Sequence, residues 1–290
     1  MATLVYAAPR TVDEAVQQLS RANGAARVLS GGTDLLVQLQ SGRVKPGTIV
    51  DVKRIPGLIG IRAEGGGFVI GAATPCALVG EHSGLKTVWP GVVEAACLIG
   101  STQVQGRASL AGNLCNASPA ADSVPALIAA RATCTIAGPT GLREAPVEAI
   151  TTGPGQTSLA RGELIVAFRL PARPARAADA YLRFIPRTEM DIAVVGAAVN
   201  LVLDARGLCT DARVVLGAVA PTAILVPEAG AALVGRQLEE DTLRELDAAA
   251  RRACRPISDK RGTAEFRTRV AGVLARRAAS LAFQRARERQ

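Results

Sequence analysis

Histidine is almost missing from this sequence: His82 is the only one. A Ser-His-Asp or Cys-His mechanism needs an imidazole base. The surroundings of that residue, Val79-Gly80-Glu81-His82-Ser83-Gly84, read as a loop-like turn rather than a catalytic setting. Six cysteines are present (Cys76, Cys97, Cys115, Cys134, Cys209 and Cys254), yet no two form a CxxC pair. Tetrahedral zinc and iron–sulfur clusters need several thiolates or imidazoles at short spacing, so neither is expected here. No glycine precedes a lysine to make a P-loop, and no GxGxxG follows a strand. Nor is there a run of about 18 apolar residues to span a bilayer. The opening residues lack both a basic n-region and an apolar h-region. A soluble, cytoplasmic protein with no transmembrane segment is therefore expected. Aromatics are 3% and charged residues 20% of the chain, a composition that fits neither a disordered nor a collagen-like protein.

What is present is apolar and basic. Hydrophobic residues make up 49% of 290, and a chain of this length buries about 75% of its unfolded surface, enough for more than one core. The net charge of +9 is uneven. Residues 243–290 hold thirteen basic and five acidic side chains, and the other 242 residues are nearly neutral. A basic end suggests nucleic acid. Here, however, the charges recur at helical spacing among alanines and leucines, with only Phe266 and Phe283 for stacking, so a solvated or partner-facing helix surface is expected.

Secondary-structure signals alternate through the first fifty residues. Leu4-Val5-Tyr6 reads as a strand, and Thr11 with Glu14 as a capping box ahead of a helix that ends at Asn23-Gly24. A strand at residues 27–30, a helix carrying Leu35, Leu36 and Leu39, and a strand at residues 48–52 complete a β-α-β-α-β unit with parallel strands. Beyond it, hairpins are expected around Gly65-Gly66-Gly67 and Gly138-Pro139-Thr140-Gly141, helices near residues 75–79, 90–99 and 124–131, and a strand at residues 163–170. Residues 101–122 read as a polar loop and residues 171–176 as a proline-interrupted linker. Trp89 is assigned to the core. The last region reads as strands at residues 181–185, 193–203 and 209–219, then helices near residues 227–233, 241–254 and 263–285. Three domains are expected: residues 1–53, 54–176 and 177–290.

Two small-residue turns carry the chemistry. Leu29-Ser30-Gly31-Gly32-Thr33-Asp34-Leu35-Leu36 lies between a strand and a helix, where glycines let a backbone approach an anion and exposed N–H groups bind phosphate. The second runs from Gly100 through Ser109, Ala111, Gly112 and Asn113 to Asp122; its hydroxyls and amides suit a ligand with phosphates and sugar hydroxyls better than core packing.

These residues resemble a known family, the FAD-binding medium subunit of molybdenum hydroxylases that oxidise carbon monoxide, xanthine or quinoline. The resemblance is carried by Ser30-Gly31-Gly32-Thr33-Asp34-Leu35, Ile70-Gly71-Ala72-Ala73-Thr74, Ser109-Leu110-Ala111-Gly112-Asn113 continuing to Asp122, Arg187-Thr188-Glu189-Met190-Asp191-Ile192-Ala193, and Leu216-Gly217-Ala218-Val219-Ala220-Pro221-Thr222. It implies an α+β protein: a two-subdomain FAD-binding fold of the vanillyl-alcohol-oxidase/PCMH type, plus a C-terminal domain with a small antiparallel sheet and helices. FAD would lie between the first two domains, its diphosphate held by both turns. Ala111 stands where the family has glycine, which would strain a positive φ there. By the same resemblance Gly100 and Asp122 touch the cofactor, Asp122 at sugar hydroxyls, while Leu164 and the loop of Arg187, Asp191 and Ile192 approach the flavin ring. Read without the resemblance, Asp122 caps the helix after it, Arg187 is a surface ion-pair partner, Asp191 a turn residue, and Leu164 and Ile192 core.

The resemblance also implies partners. A large subunit would carry the molybdenum cofactor and a small one the [2Fe-2S] clusters, in a dimer of heterotrimers, with electrons passing through FAD to an external acceptor. The basic third domain, including Arg276 and Arg277, would help dock them. A stand-alone flavin oxidase with its own substrate site, or a non-catalytic assembly or nucleic-acid-binding protein, remains as the rival reading.

Overall fold

The computed structural model describes residues 4–289; expectations that fall on Met1, Ala2, Thr3 or Gln290 lie outside the described residues. The first fifty residues build a three-stranded sheet from Val5–Ala7, Ala26–Leu29 and Thr48–Asp51. The last of these strands lies in the middle and pairs in parallel with both others. Parallel neighbours need crossover connections, and the helices Val12–Arg21 and Leu35–Gln40 supply them. Thr11 caps the first helix by accepting from the Glu14 amide at 3.1 Å. The reciprocal arm of the capping box differs from expectation: the Glu14 carboxylate takes the Arg10 amide at 2.8 Å. Asn23 (φ 47°) and Gly24 (φ 88°) end the helix in left-handed geometry, as the sequence indicates.

A five-stranded antiparallel sheet follows. Its two hairpins, Ile61–Glu64 with Gly67–Gly71 and Thr133–Gly138 with Gly141–Pro146, turn at the expected glycines and flank the strand Leu164–Leu170. Helices Cys76–Glu81, Ser83–Val88, Pro90–Cys97 and Ser123–Ala129 cover it and share its core, where Trp89 is 2% exposed. The sequence missed Ser83–Val88. His82 is the reason that helix forms, since its Nδ1 accepts the Leu85 amide at 3.0 Å. The lone imidazole is thus a cap.

Two further expectations are corrected. Residues 101–122 are not one loop: they contain the short helices Thr102–Gln105 and Leu110–Cys115. The second starts because Ser109 caps it, its Oγ accepting the Gly112 amide at 3.2 Å. Ala111 sits inside that helix and is not among the residues with positive φ, so the strain expected from losing a glycine does not arise. Residues 171–176 are not a free linker either. The Arg173 side chain is 4% exposed, pairs with Asp179 at 2.8 Å, donates to Asn200 at 2.6 Å and lies 4.0 Å over the Trp89 ring.

The C-terminal part is a four-stranded antiparallel sheet made by Ala177–Phe184, Val195–Leu203, Cys209–Gly217 and Ile224–Leu225. Helices Pro227–Ala231, Glu240–Ala253 and Ala264–Glu288 pack on it with a separate core. The longest of these helices buries a row of alanines, Ala271, Ala275, Ala278, Ala282 and Ala286, whose small side chains let its axis lie close to the strands. No helix among the described residues is long and apolar enough to cross a membrane.

Candidate cofactor site

The carboxyl ends of the three parallel strands point the same way, the end at which open parallel sheets commonly bind ligands. The first glycine turn leaves one of those ends, immediately after Leu29. Gly32 has φ +82°, and nothing larger fits at Gly31: a Cβ there would stand 2.1 Å from the Arg107 carbonyl oxygen. That carbonyl belongs to the second turn. The two segments therefore pack backbone against backbone, although 76 residues separate Gly31 from Arg107. Ser30 and Ser109 share a hydroxyl–hydroxyl hydrogen bond of 2.7 Å, and Gln38 donates to the Asn116 side chain at 3.0 Å.

Backbone donors are left over at this junction. The amides of Gly31, Gly32, Thr33 and Asp34 in the first turn, and of Ala111 in the second, donate to no backbone acceptor among the described residues. An unpaired amide in a partly buried turn is costly, and a row of them suits an acceptor-rich anion. A diphosphate has that chemistry, so the donor set fits the nucleotide that the resemblance implies. Thr33 adds a hydroxyl, whereas burial pushes the Asp34 carboxyl above the ordinary carboxylate range. Asp34 occupies the cap position of Leu35–Gln40 without making a side-chain cap, and Leu35 and Leu36 begin that helix, with Leu36 48% exposed.

The remaining candidates divide. Gly100 takes a positive φ of +62° before the second turn, packed on Val104. Gly112 donates to Ser109, and Asn113 Oδ1 accepts both the amide and the hydroxyl of Ser123, at 3.2 and 2.7 Å. The neighbouring Asp122 is buried and makes no side-chain cap. Its two oxygens accept the Tyr181 hydroxyl at 2.9 Å and the Arg183 guanidinium at 2.7 Å, both from the strand Ala177–Phe184. Burial pushes its carboxyl up to about 6, against the pull of Arg183 and Tyr181. Asp122 thus joins the second turn to the C-terminal sheet. Leu164 is 2% exposed in the core between the first and second sheets. The loop of Arg187, Asp191 and Ile192 lies beyond that strand. Arg187 pairs with Asp191 at 3.2 Å, Arg261 stands 3.8 Å from the same carboxylate, and Ile192 is 50% exposed, which removes the core reading for it.

Sequence reasoning missed four residues around the junction: Lys53, Gln38, Tyr181 and Arg183. Lys53, Tyr181 and Arg183 reach the site from other segments, Gln38 from the helix that follows the first turn, and no local motif marks any of them.

Comparison with known proteins gives the family. Residues 2–173 match the family model described as the FAD binding domain in molybdopterin dehydrogenase. Residues 180–282 match the CO dehydrogenase flavoprotein C-terminal domain. The chain belongs to this family, the FAD-binding medium subunits of molybdenum hydroxylases. Among its relatives is the carbon monoxide dehydrogenase medium chain of Afipia carboxidovorans, 35% identical over 283 residues that cover 97% of each chain. The xanthine dehydrogenase FAD-binding subunit of Escherichia coli O157:H7 is 33% identical over 264 residues, 90% of each. A solved carbon monoxide dehydrogenase from Hydrogenophaga pseudoflava superposes with a TM-score of 0.93 at 34% identity, covering 97% of this chain and 98% of that one. Quinoline 2-oxidoreductase from Pseudomonas putida 86 gives 0.91 at 27% identity, covering 98% of each.

Proposed function

We propose that this chain is the flavin-bearing electron-transfer subunit of a heterotrimeric molybdenum hydroxylase. FAD, when bound, accepts electrons singly and delivers them in pairs. The protein binds and orients it. The amides of Gly31, Gly32, Thr33, Asp34 and Ala111, with the Thr33 hydroxyl and the one proton left free by the Ser30–Ser109 hydroxyl pair, would hold the diphosphate. Asn113, Gly100 and Gly112 fix the second turn. Leu164 and the loop of Arg187, Asp191 and Ile192 line the approach to the flavin ring. Asp122 serves as a post between the second turn and the third domain. The domain division at residues 53 and 176 is part of the same reading.

Two partner subunits complete the path: a small one with [2Fe-2S] clusters that feeds electrons here, and a large one with the molybdenum cofactor where substrate is oxidised. The trimer would pair as a dimer in the cytoplasm, a reducing compartment that suits six free thiols. The observation that carries the reading is the joining of the two turns, through Ser30 and Ser109 at 2.7 Å, beside a row of unpaired amides. Co-purification from the native source with metal analysis tests the assembly. Stoichiometric molybdenum and iron with the flavin support it; a chain that purifies alone, carries only flavin and turns over its own substrate contradicts it.

A further inference from the structure

Lys53 lies behind the first glycine turn and has no role in the reading above. It follows Asp51, the last residue of the central parallel strand, and its side chain is 24% exposed. Its ammonium donates to Asp51 Oδ1 at 2.7 Å and to the Ser30 carbonyl at 3.1 Å. Asp51 is itself held on three sides: Oδ1 also accepts the Lys53 amide at 3.0 Å, and Oδ2 accepts the Tyr6 hydroxyl at 2.6 Å. Burial alone would raise the Asp51 carboxyl, but the bonds from Lys53 and Tyr6 outweigh it and hold the group below its ordinary value. The ends of all three strands are thereby linked, Tyr6 from one edge, Asp51 from the centre and Ser30 from the other edge.

An ammonium has three donors, and two are accounted for here. Of the Lys53–Asp51 pair, the cation is the member that touches the turn. Ser30, to which it is bonded, precedes the unpaired amides of Gly31 and Gly32 and carries the hydroxyl shared with Ser109. A positive charge within one residue of those amides adds attraction for an anion, and in a partly buried place salt screens it only partly.

We propose that Lys53 is a cofactor-positioning residue: it braces the Ser30–Gly31 backbone from the strand ends and supplies the cationic field for the nucleotide's diphosphate. The inference rests on the reading of the glycine turns as a diphosphate site. The test is equilibrium binding of FAD, ADP and riboflavin to the apoprotein of the purified full chain, followed by flavin fluorescence or competition at 50 and 300 mM salt. Lys53→Met keeps the aliphatic stem and removes the charge. It is expected to weaken FAD and ADP about tenfold each, leave riboflavin unchanged and flatten the salt dependence, while Lys53→Arg restores FAD binding to within about threefold of wild type. A purely structural brace would instead lower the melting temperature of the apoprotein with an unaltered salt response, which overturns the proposal. So does K53M binding FAD within twofold of wild type. Wild-type protein that binds no FAD removes the site reading itself, a failure distinguishable from that of Lys53 alone.

Discussion

Ser109 has one hydroxyl and serves two contacts, capping the helix Leu110–Cys115 and meeting Ser30 across the junction. Its hydroxyl stands out in the sequence, but the segment reads as a loop there, so the cap went unforeseen although a serine ahead of a small-residue helical turn is a local pattern. Asp122 was harder to assign. The helix cap foreseen from its neighbours is not made; Tyr181 and Arg183 donate to its oxygens, and both lie about sixty residues further along. A free carboxyl has a pKa near 3.9, and burial raises that of Asp122 to about 6. The folded state therefore binds the proton more tightly than the unfolded state. That contribution to stability is complete below about pH 4 and is lost as pH rises through 6. Asp122→Asn has no such titration. Urea unfolding at pH 4.5, 6 and 7.5 should show wild-type stability declining relative to D122N by about 2 kcal/mol over this range. Parallel curves for the two proteins would refute the assignment.

At the scale of elements, the alternation of strand and helix in the first fifty residues was legible because turn glycines, caps and apolar spacing all agree there. Residues 171–176 were not, since two prolines signal a break in regular structure whatever the side chains between them reach. Arg173 reaches inward, and the Asp179 carboxylate with which it pairs has its side chain only 3% exposed. Arg173→Met would leave that carboxylate without its cation, and a loss of about 3–5 kcal/mol in chemical denaturation is expected. A loss under 1 kcal/mol would mean that the pair is no clamp. The basic C-terminal helix also divides on inspection. Arg276 is committed to Glu240, at 2.9 and 3.1 Å. Arg277 and Arg269 have no acidic partner among the described residues and flank a cavity of about 210 Å³ with Phe184 and Phe266. If the basic end docks partner subunits, reversing Arg277 should weaken assembly in size-exclusion chromatography, while reversing Arg276 alone should cost about 1 kcal/mol of stability or less. Equal assembly by wild type and R277E would remove this helix from the docking surface.

Across the whole molecule, the three larger sheets share apolar cores at their borders, and polar or backbone contacts also join them: Gly31 on Arg107, Ser30 to Ser109, and Asp122 to Tyr181 and Arg183. Parallel pairing of the first three strands, the two glycine hairpins and the longer helices follow from periodicity and turns, and so were visible in the chain; the order of strands within the sheets and the short helices Ser83–Val88, Thr102–Gln105 and Leu110–Cys115 were not. The meeting of the two glycine turns was visible only through family resemblance, because no local rule relates residue 31 to residue 107. That meeting is the central claim, and a competition titration of the apoprotein tests it most directly. One FAD per chain should bind, ADP should compete and riboflavin should not, and Gly31→Ala, whose added carbon would press on the Arg107 carbonyl, should lower FAD affinity at least tenfold. Riboflavin competing as well as ADP, or G31A binding FAD like wild type, would contradict a diphosphate held between the two turns.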